Sequence, residues 1–214
     1  MATSAYVDRY RYWRHTAFRW RTDLSVAQKV ALALGMACLT GLSAQLRIHL
    51  WFTPVPITGQ VFAVLFSGVL LGAGYGCLSQ ALYLGIGACG APWFQGWVGG
   101  VSYLSHTVTL GYLMAFVVVP LVIGGLSERY IIARGFFLQL GLMLIAVAII
   151  YLSGAAYLAA MLHTDVHQTM KLAVTPFIPW DLAKAAAVAG ISATLLPKAS
   201  YGHEVDKARY PASY

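Results

Sequence analysis

Charged side chains are scarce in this chain: Asp, Glu, Lys and Arg make up 10% of its 214 residues, against about 25% in a soluble domain. No acidic or basic side chain occurs between Arg47 and Glu128, or between Arg134 and Asp165. Hydrophobic residues reach 59%, which is more apolar surface than a water-soluble fold of this size can bury. Because disorder requires low hydrophobicity and high net charge, the composition predicts an integral membrane protein with one domain.

Sequence signals of catalysis and nucleotide binding are also missing. There is no G-x-x-x-x-G-K-[ST] phosphate-binding loop and no G-x-S-x-G nucleophile elbow, so the chain alone is not expected to hydrolyse ATP. Residues 85–90 match G-x-G-x-x-G, but they end a membrane helix and do not join a strand to a helix, as a dinucleotide site requires. We therefore predict no catalytic residue and no cofactor.

Patterns for metals and disulfides are weak as well. The three cysteines lie in apolar segments without C-x-x-C spacing, which favours unpaired side chains. His163, Asp165 and His167 form a group of three candidate ligands without a fourth, so a zinc-type site is not expected. The sequence predicts no bound metal.

Six apolar segments predict α-helices that cross a membrane, because about 20 apolar residues span ~30 Å of hydrocarbon and a helix satisfies its own backbone polar groups there. The glycines of 72–76 predict a tight turn between the second and third segments, and two prolines in 49–58 prevent regular helix before the second. The fold class is therefore an all-α integral membrane protein with six transmembrane helices over residues 27–197, between tails at 1–26 and 198–214. The predicted helices cover about 27–46, 59–71, 77–88, 105–126, 135–162 and 180–196.

The distribution of Lys and Arg predicts the orientation of these helices. With a cytoplasmic N-terminus, 11 of the 14 Lys and Arg residues fall on the inner side and only Arg47 and Lys171 on the outer side, in agreement with the positive-inside rule. We therefore expect both termini in the cytoplasm of a bacterium, the bundle in its plasma (inner) membrane, and residues 1–26 as a basic tail and not a cleaved signal. The net charge of +7 is then explained by the anionic inner leaflet, so no nucleic-acid partner is predicted.

The strongest candidate for a functional site is Asp181 with Lys184, at the start of the sixth predicted helix. The two residues lie three apart, on one helical face. An ionisable pair in a membrane segment is costly unless it faces the protein interior, and such groups usually mark solute sites. An acceptor and a donor one turn apart suit a ligand with adjacent N–H and C=O groups, such as an amide or a urea. The alternative is a salt bridge without function near the interface.

Other polar and aromatic residues are weaker candidates for substrate contacts. Gln80 and Tyr83 lie midway along the third helix, where they either join helices or offer hydrogen bonds to a solute. Arg47 either snorkels to the interface or meets an anionic group of the solute. Trp93 and Tyr103 belong to the loop 89–104, whose aromatics form either a pocket wall or an interfacial belt. Small residues at four-residue spacing mark two faces of the first helix, which serve either packing within the bundle or docking of a separate membrane subunit.

Three segments together resemble the BioY family, the biotin-binding S components of energy-coupling-factor (ECF) transporters. They are Pro54-Val-Pro-Ile-Thr-Gly-Gln-Val-Phe-Ala-Val-Leu65, the stretch Gly68 to Gly90 with Gln80-Ala-Leu-Tyr83, and Pro176-Phe-Ile-Pro-Trp-Asp-Leu-Ala-Lys184. The resemblance covers about residues 27–197 in the family's order and spacing. It implies a six-helix S-component fold that binds biotin near its outer surface, with Asp181 and Lys184 on the ureido ring.

The resemblance also implies partners: a transmembrane T component and ATPase subunits that energise uptake. The family's small-residue face that meets the T component corresponds to Ala33 and Ala37, or to Ala27 and Ala31. Two alternatives stay open. One is a self-sufficient biotin importer that works as a homo-oligomer. The other is a membrane enzyme with Asp181 or His106 in an acid–base role, although no second catalytic partner is visible.

Overall fold

The computed structural model describes residues 2–200 and 204–210, which form an all-helical bundle with one small β-ribbon. The ribbon pairs β1 (Arg47–Ile48) antiparallel with β2 (Ile57–Thr58) and so closes the loop between the first two membrane segments. The helices are α1 (Ala2–Asp23), α2 (Val26–Gln45), α3 (Gln60–Ala88), α4 (Val101–His106), α5 (Leu110–Arg129), α6 (Phe136–Leu162), α7 (Val166–Ala173) and α8 (Ile178–Leu195). Two short 3-10 turns cover Ile132–Arg134 and Lys207–Arg209.

Helix α3 folds back on itself at Gly72. The backbone there has φ 78° and ψ −172°, and the side-chain amide of Gln60 donates a 2.8 Å hydrogen bond to the Tyr83 hydroxyl. A continuous helix would separate those two residues by about 34 Å at 1.5 Å per residue. The segment is therefore a hairpin of α3a (60–71) and α3b (73–88). The predicted turn in 72–76 is present, but it is confined to Gly72, and helix resumes at residue 73.

Four helices within the described ranges are long and apolar enough to cross a membrane: α2, α3, α5 and α6. A fifth candidate is the pair α7 and α8, which is bent by 53°. The count is lower than the predicted six because α3 is counted once although it contains two segments. A multi-span helical bundle is confirmed at this level.

Close packing around Pro120 holds the hairpin against α5. A Cβ atom on Gly68 of α3a would lie 3.1 Å from the Pro120 Cα, and one on Gly76 of α3b would lie 2.8 Å from the Pro120 Cβ. Only glycine permits this approach, as small residues do at helix crossings in lipid. The hairpin therefore has a fixed position on α5, which in turn positions Gln60 and Tyr83 at its open end.

The first 26 residues, expected to be a tail, contain helix α1, which packs against one end of the bundle. Phe18 is buried. The Arg14 guanidinium donates to the carbonyls of Ala193 and Leu196, and Arg21 donates to the Leu70 carbonyl at 2.8 Å and pairs with Glu128 at 3.1 Å. Carbonyls at helix C-termini lack intrahelical partners and attract cations, so these arginines fix α1 to the ends of α8 and α3a.

Arg134, at the same end of the bundle, is fully buried. It donates to the carbonyls of Ser127 and Pro197 and forms a 2.8 Å ion pair with Glu204. Nearby, the Asp206 carboxylate accepts the backbone N–H groups of Ile131 and Ile132. Burial by itself raises the pKa of the Asp206 carboxyl. These two hydrogen bonds and the nearby Arg134 outweigh burial and lower that pKa below its usual range. Polar contacts therefore close this end of the bundle.

The reversal at Gly72 makes a prediction for stability. Replacement Gly72→Ala is expected to destabilise the protein by at least about 1–3 kcal/mol, because φ is in the left-handed region and the added Cβ would collide with the Glu128 carboxylate. Thermal unfolding in detergent measures the effect. Gly74→Ala is the matched control, since nothing lies within 4 Å of its Cβ position, and it should be neutral or slightly stabilising. Equal unfolding midpoints for the two variants would contradict the hairpin geometry.

Candidate functional site

A cavity opens at the end of the bundle opposite α1. The centres of water-sized molecules fit into about 60 Å³ of its interior. Every membrane segment except α2 contributes residues, and the β-ribbon and the loop 89–100 complete the wall. The lining residues are Val55, Pro56, Ile57, Thr58, Gln60, Val61, Tyr83, Phe94, Gln95, Tyr103, Thr109, Tyr112, Leu113, Phe116, Ile150, Tyr151, Phe177, Asp181 and Lys184.

Asp181 and Lys184 form the only ion pair on this lining within the described ranges. The Lys184 Nζ donates to Asp181 Oδ1 at 2.7 Å and to the Thr58 carbonyl at 2.7 Å. The Tyr151 hydroxyl donates to Asp181 Oδ2 at 2.8 Å. Asp181 is 4% exposed, so its contacts with Tyr151 of α6 and Lys184 of α8 replace most of its water.

The pair keeps hydrogen-bonding capacity for a ligand. An ammonium has three N–H donors and a carboxylate about four lone-pair sites, and the contacts above use two of each. One free donor therefore lies next to free acceptor sites on the cavity wall. This arrangement suits a neutral group that carries both C=O and N–H.

Aromatic side chains form another wall of the cavity. Phe94 is stacked on Tyr103 at 5.6 Å between ring centroids, and it meets Tyr83 edge-on at 5.4 Å. Trp93 lies outside the lining, where its indole N–H donates to the Tyr83 carbonyl at 2.9 Å. Of the four aromatic and amide candidates, the fold thus brings Tyr83 and Tyr103 into the cavity and uses Trp93 as their support.

Two predicted contact residues lie elsewhere. Gln80 is fully buried between α3b and α2, where its amide donates to the hydroxyls of Thr40 and Ser79; it joins helices and does not line the cavity. Arg47 is exposed, and its guanidinium lies against Gly96, where a Cβ would be 2.5 Å from Nη1. Arg47 is outside the cavity lining because β1 directs it onto the outer side of the aromatic loop.

Three lining residues are not among the contacts predicted from the sequence: Tyr151, Gln60 and Phe94. Tyr151 lies in the charge-free stretch of α6. Apolar residues occupy every face of this helix, so the sequence does not show that Tyr151 points inward. Gln60 follows the proline-containing segment 49–58 and begins a membrane helix. An amide in that position needs a hydrogen-bond partner, and this is a sequence signal that points to Gln60. Phe94 was one of several aromatics in a glycine-rich loop, and only the fold selects it.

No three His, Cys, Asp or Glu side chains come together as a metal site in the part of the chain that the structure describes. Asp165 instead caps α7, where its carboxylate accepts the Gln168 N–H at 2.7 Å. His106 is exposed and bonded to Ser102 and Ser105, away from the cavity lining. Neither histidine-containing segment adds chemistry to the site.

The two small-residue faces of α2 have different environments. Ala33 and Ala37 are fully buried within the bundle, where they pack against its other helices. Ala27 and Ala31 are exposed, and nothing lies within 4 Å of a Cβ built on Gly35, one turn further along. The exposed face therefore consists of small side chains over more than two helical turns.

Comparisons with known proteins agree with this architecture. The family model described as BioY family matches residues 14–200. The chain is 39% identical over 147 residues to the probable biotin transporter BioY of Methanothermobacter thermautotrophicus, which covers 65% of this chain and 93% of the relative. It is 34% identical over 171 residues to the probable biotin transporter BioY of Pyrococcus horikoshii, which covers 79% and 96%.

A solved structure has the same fold. The crystal structure of the S-component for biotin from an ECF-type ABC transporter superimposes with a TM-score of 0.72 at 25% identity, over 80% of this chain and 94% of that one. The family model covers most of the chain, and the solved relative has the same helical architecture. This chain therefore belongs to the BioY family.

Proposed function

We propose that this protein is the biotin-binding subunit of an importer, capturing biotin at the outer surface of the membrane for delivery inward. The observation that carries the proposal is the Asp181–Lys184 pair on the wall of a cavity in an otherwise charge-poor bundle. The named relatives are biotin transporters, so the role is in transport and not in catalysis.

The cyclic urea of biotin matches the unused hydrogen-bond donor of Lys184 and the unused acceptor sites of Asp181. A ureido oxygen accepts the third N–H of Lys184, and a ureido N–H donates to the Asp181 carboxylate. Tyr83 and Tyr103 then pack on the fused rings, which are apolar apart from the urea. Charge-assisted hydrogen bonds of this kind are about twice as strong as neutral ones, and the low dielectric of the cavity increases their contribution further.

The topology supports capture from outside. The cavity is lined by the C-terminal halves of α3b and α6 and by the N-terminal ends of α3a, α5 and α8. Six alternating spans, α2, α3a, α3b, α5, α6 and α8, place these parts on the same side. Arg14, Arg21 and Arg134 gather at the opposite end. Under the positive-inside rule that end is cytoplasmic, so the cavity faces outward, both termini lie inside, and the membrane is the plasma membrane.

Uptake against a gradient must draw its energy from another subunit or from an ion gradient, since the chain has no phosphate-binding loop. We assign the energy source to separate ATPase subunits, coupled through a transmembrane T component. The exposed Ala27–Ala31 face of α2 is suited to this docking because small side chains permit close helix approach. Ala33 and Ala37 are already used inside the bundle.

A bulky residue on that face should separate docking from binding. Ala31→Trp is expected to reduce co-purification with the T component by about tenfold or more, because it blocks close helix contact, while biotin affinity stays unchanged. Ala156→Trp on the exposed side of α6 is the control and should retain the complex. If both variants co-purify equally with the T component, the docking face lies elsewhere.

Fluorescence titration of the purified protein tests the ligand, with biotin, desthiobiotin and lipoic acid. Biotin and desthiobiotin share the cyclic urea, whereas lipoic acid has a similar acid chain without it, so only the first two should bind tightly. Labelled-biotin uptake then compares cells that express the chain alone with cells that also express the T component and ATPases. Uptake at full rate by the chain alone would favour a self-sufficient oligomer, and tight binding of lipoic acid would reject the ureido assignment.

A further inference from the structure

One glutamine at the end of α2, Gln45, is hydrogen-bonded to the backbone of four of the five residues in segment 93–97 of the aromatic loop. The Gln45 amide nitrogen donates to the carbonyls of Trp93 and Phe94 at 3.3 and 3.0 Å. Its oxygen accepts the backbone N–H groups of Gly96 and Trp97 at 3.1 and 3.2 Å. The nitrogen also lies 3.1 Å from the Gly41 carbonyl in its own helix. Its two N–H hydrogens are therefore shared among three carbonyls, and the amide has no remaining hydrogen-bonding capacity.

The bonded segment contains one residue in a strained backbone conformation. Gly96 has φ 88°, and Trp97, a bulky residue, has φ 60°. Left-handed backbone is uncommon and unfavourable at a large side chain such as that of Trp97, so it persists only where the surroundings hold it. Trp97 and the neighbouring Gly96 both direct their N–H groups at the same Gln45 oxygen. The Trp97 N–H also lies 3.1 Å from the Phe94 carbonyl, so Gln45 and the turn together hold Trp97 in that conformation.

We propose that Gln45 is a positioning residue for ligand retention: it holds segment 93–97 in place and so fixes the aromatic wall of the cavity. Gln45 itself is outside the cavity lining. It acts through Phe94, whose carbonyl it binds and whose ring contacts Tyr83 and Tyr103. Gln95, between the bonded residues, also lines the cavity. The link to ligand retention rests on the proposed biotin binding.

The test compares Gln45→Leu, which removes every bond, with Gln45→Glu, which keeps the acceptor but sets a carboxylate against three carbonyls. Hydrogen–deuterium exchange of segment 93–97 in ligand-free protein should be faster in both variants. Biotin should dissociate about tenfold faster with little change in association rate, since altered interfaces act mainly on dissociation. Gln28→Glu at the other end of α2 is the control, because Glu serves equally in the capping box with Ser25.

Two results would overturn the inference: unchanged exchange of segment 93–97 in both variants, or faster exchange with an unchanged dissociation rate. Unfolding midpoints within a few degrees of the wild type establish that the variants are folded. If the wild-type protein failed to bind biotin, the proposed function would be rejected, whereas faster exchange in the variants would still support the hold of Gln45 on the segment.

Discussion

Asp181→Asn should raise the dissociation constant for biotin about 30- to 4,000-fold, since disrupting a buried, hydrogen-bonded charge pair costs about 2–5 kcal/mol. Asn keeps the size of the side chain and can still accept the Tyr151 hydroxyl. It removes the negative charge that Lys184 and the ureido N–H groups require. The ammonium keeps its bond to the Thr58 carbonyl, so the fold should be preserved while binding is lost. Fluorescence or calorimetric titration measures the effect.

Asp165→Asn provides the matched control for this substitution. Asp165 is exposed and caps α7 outside the cavity lining, and Asn serves as well as Asp at an N-cap. Its affinity for biotin should equal that of the wild type. If Asp181→Asn also bound with wild-type affinity, the ion pair would be structural and the ligand would be held by other groups.

Arg134→Ala should have the largest effect on stability, about 3–5 kcal/mol, because it removes the buried cation that pairs with the Glu204 carboxylate. Arg134 and Glu204 are 0% and 3% exposed, and the carbonyls of Ser127 and Pro197 would lose their donor as well. For a chain of this size the unfolding midpoint should fall by roughly 6–20 °C. Thermal unfolding in detergent is the measurement.

Two further variants define the origin of that loss. Arg129→Ala removes a neighbouring but exposed arginine, and surface changes of this kind usually stay within about 0.5 kcal/mol. The double variant Arg134→Leu with Glu204→Leu should recover part of the stability, because it removes both buried charges together. A midpoint for Arg134→Ala equal to that of Arg129→Ala would mean that the buried network contributes little.

The membrane bundle and the centre of the site were predictable from the scarcity of charge. A charge-free sequence leaves few places for an ionisable pair, so Asp181 and Lys184 stood out, and the glycines of 72–76 indicated the hairpin. In helices that are apolar on every face, the hydrophobic periodicity of the sequence does not show which side chains point into the bundle. The sequence therefore leaves Gln80 as a candidate ligand contact, although the structure bonds it to Thr40 on α2. For the same reason the sequence does not identify Tyr151.

Long-range contacts explain the other differences. Helix α1 is rich in Arg and aromatics, and its position depends on carbonyls some 180 residues away, at Ala193 and Leu196. No local sequence pattern predicts hydrogen-bond partners so far along the chain, so the sequence predicts only a basic tail for this segment. The role of Gln45 is likewise invisible until the fold brings segment 93–97 to the end of α2.

A crystal structure of the protein with bound biotin tests the central claim most directly. We expect the ureido oxygen within hydrogen-bond distance of the Lys184 ammonium and a ureido N–H donating to the Asp181 carboxylate, with the fused rings against Tyr83 and Tyr103. Biotin bound away from α8, or side chains of this pair directed at the acyl chains, would contradict the account.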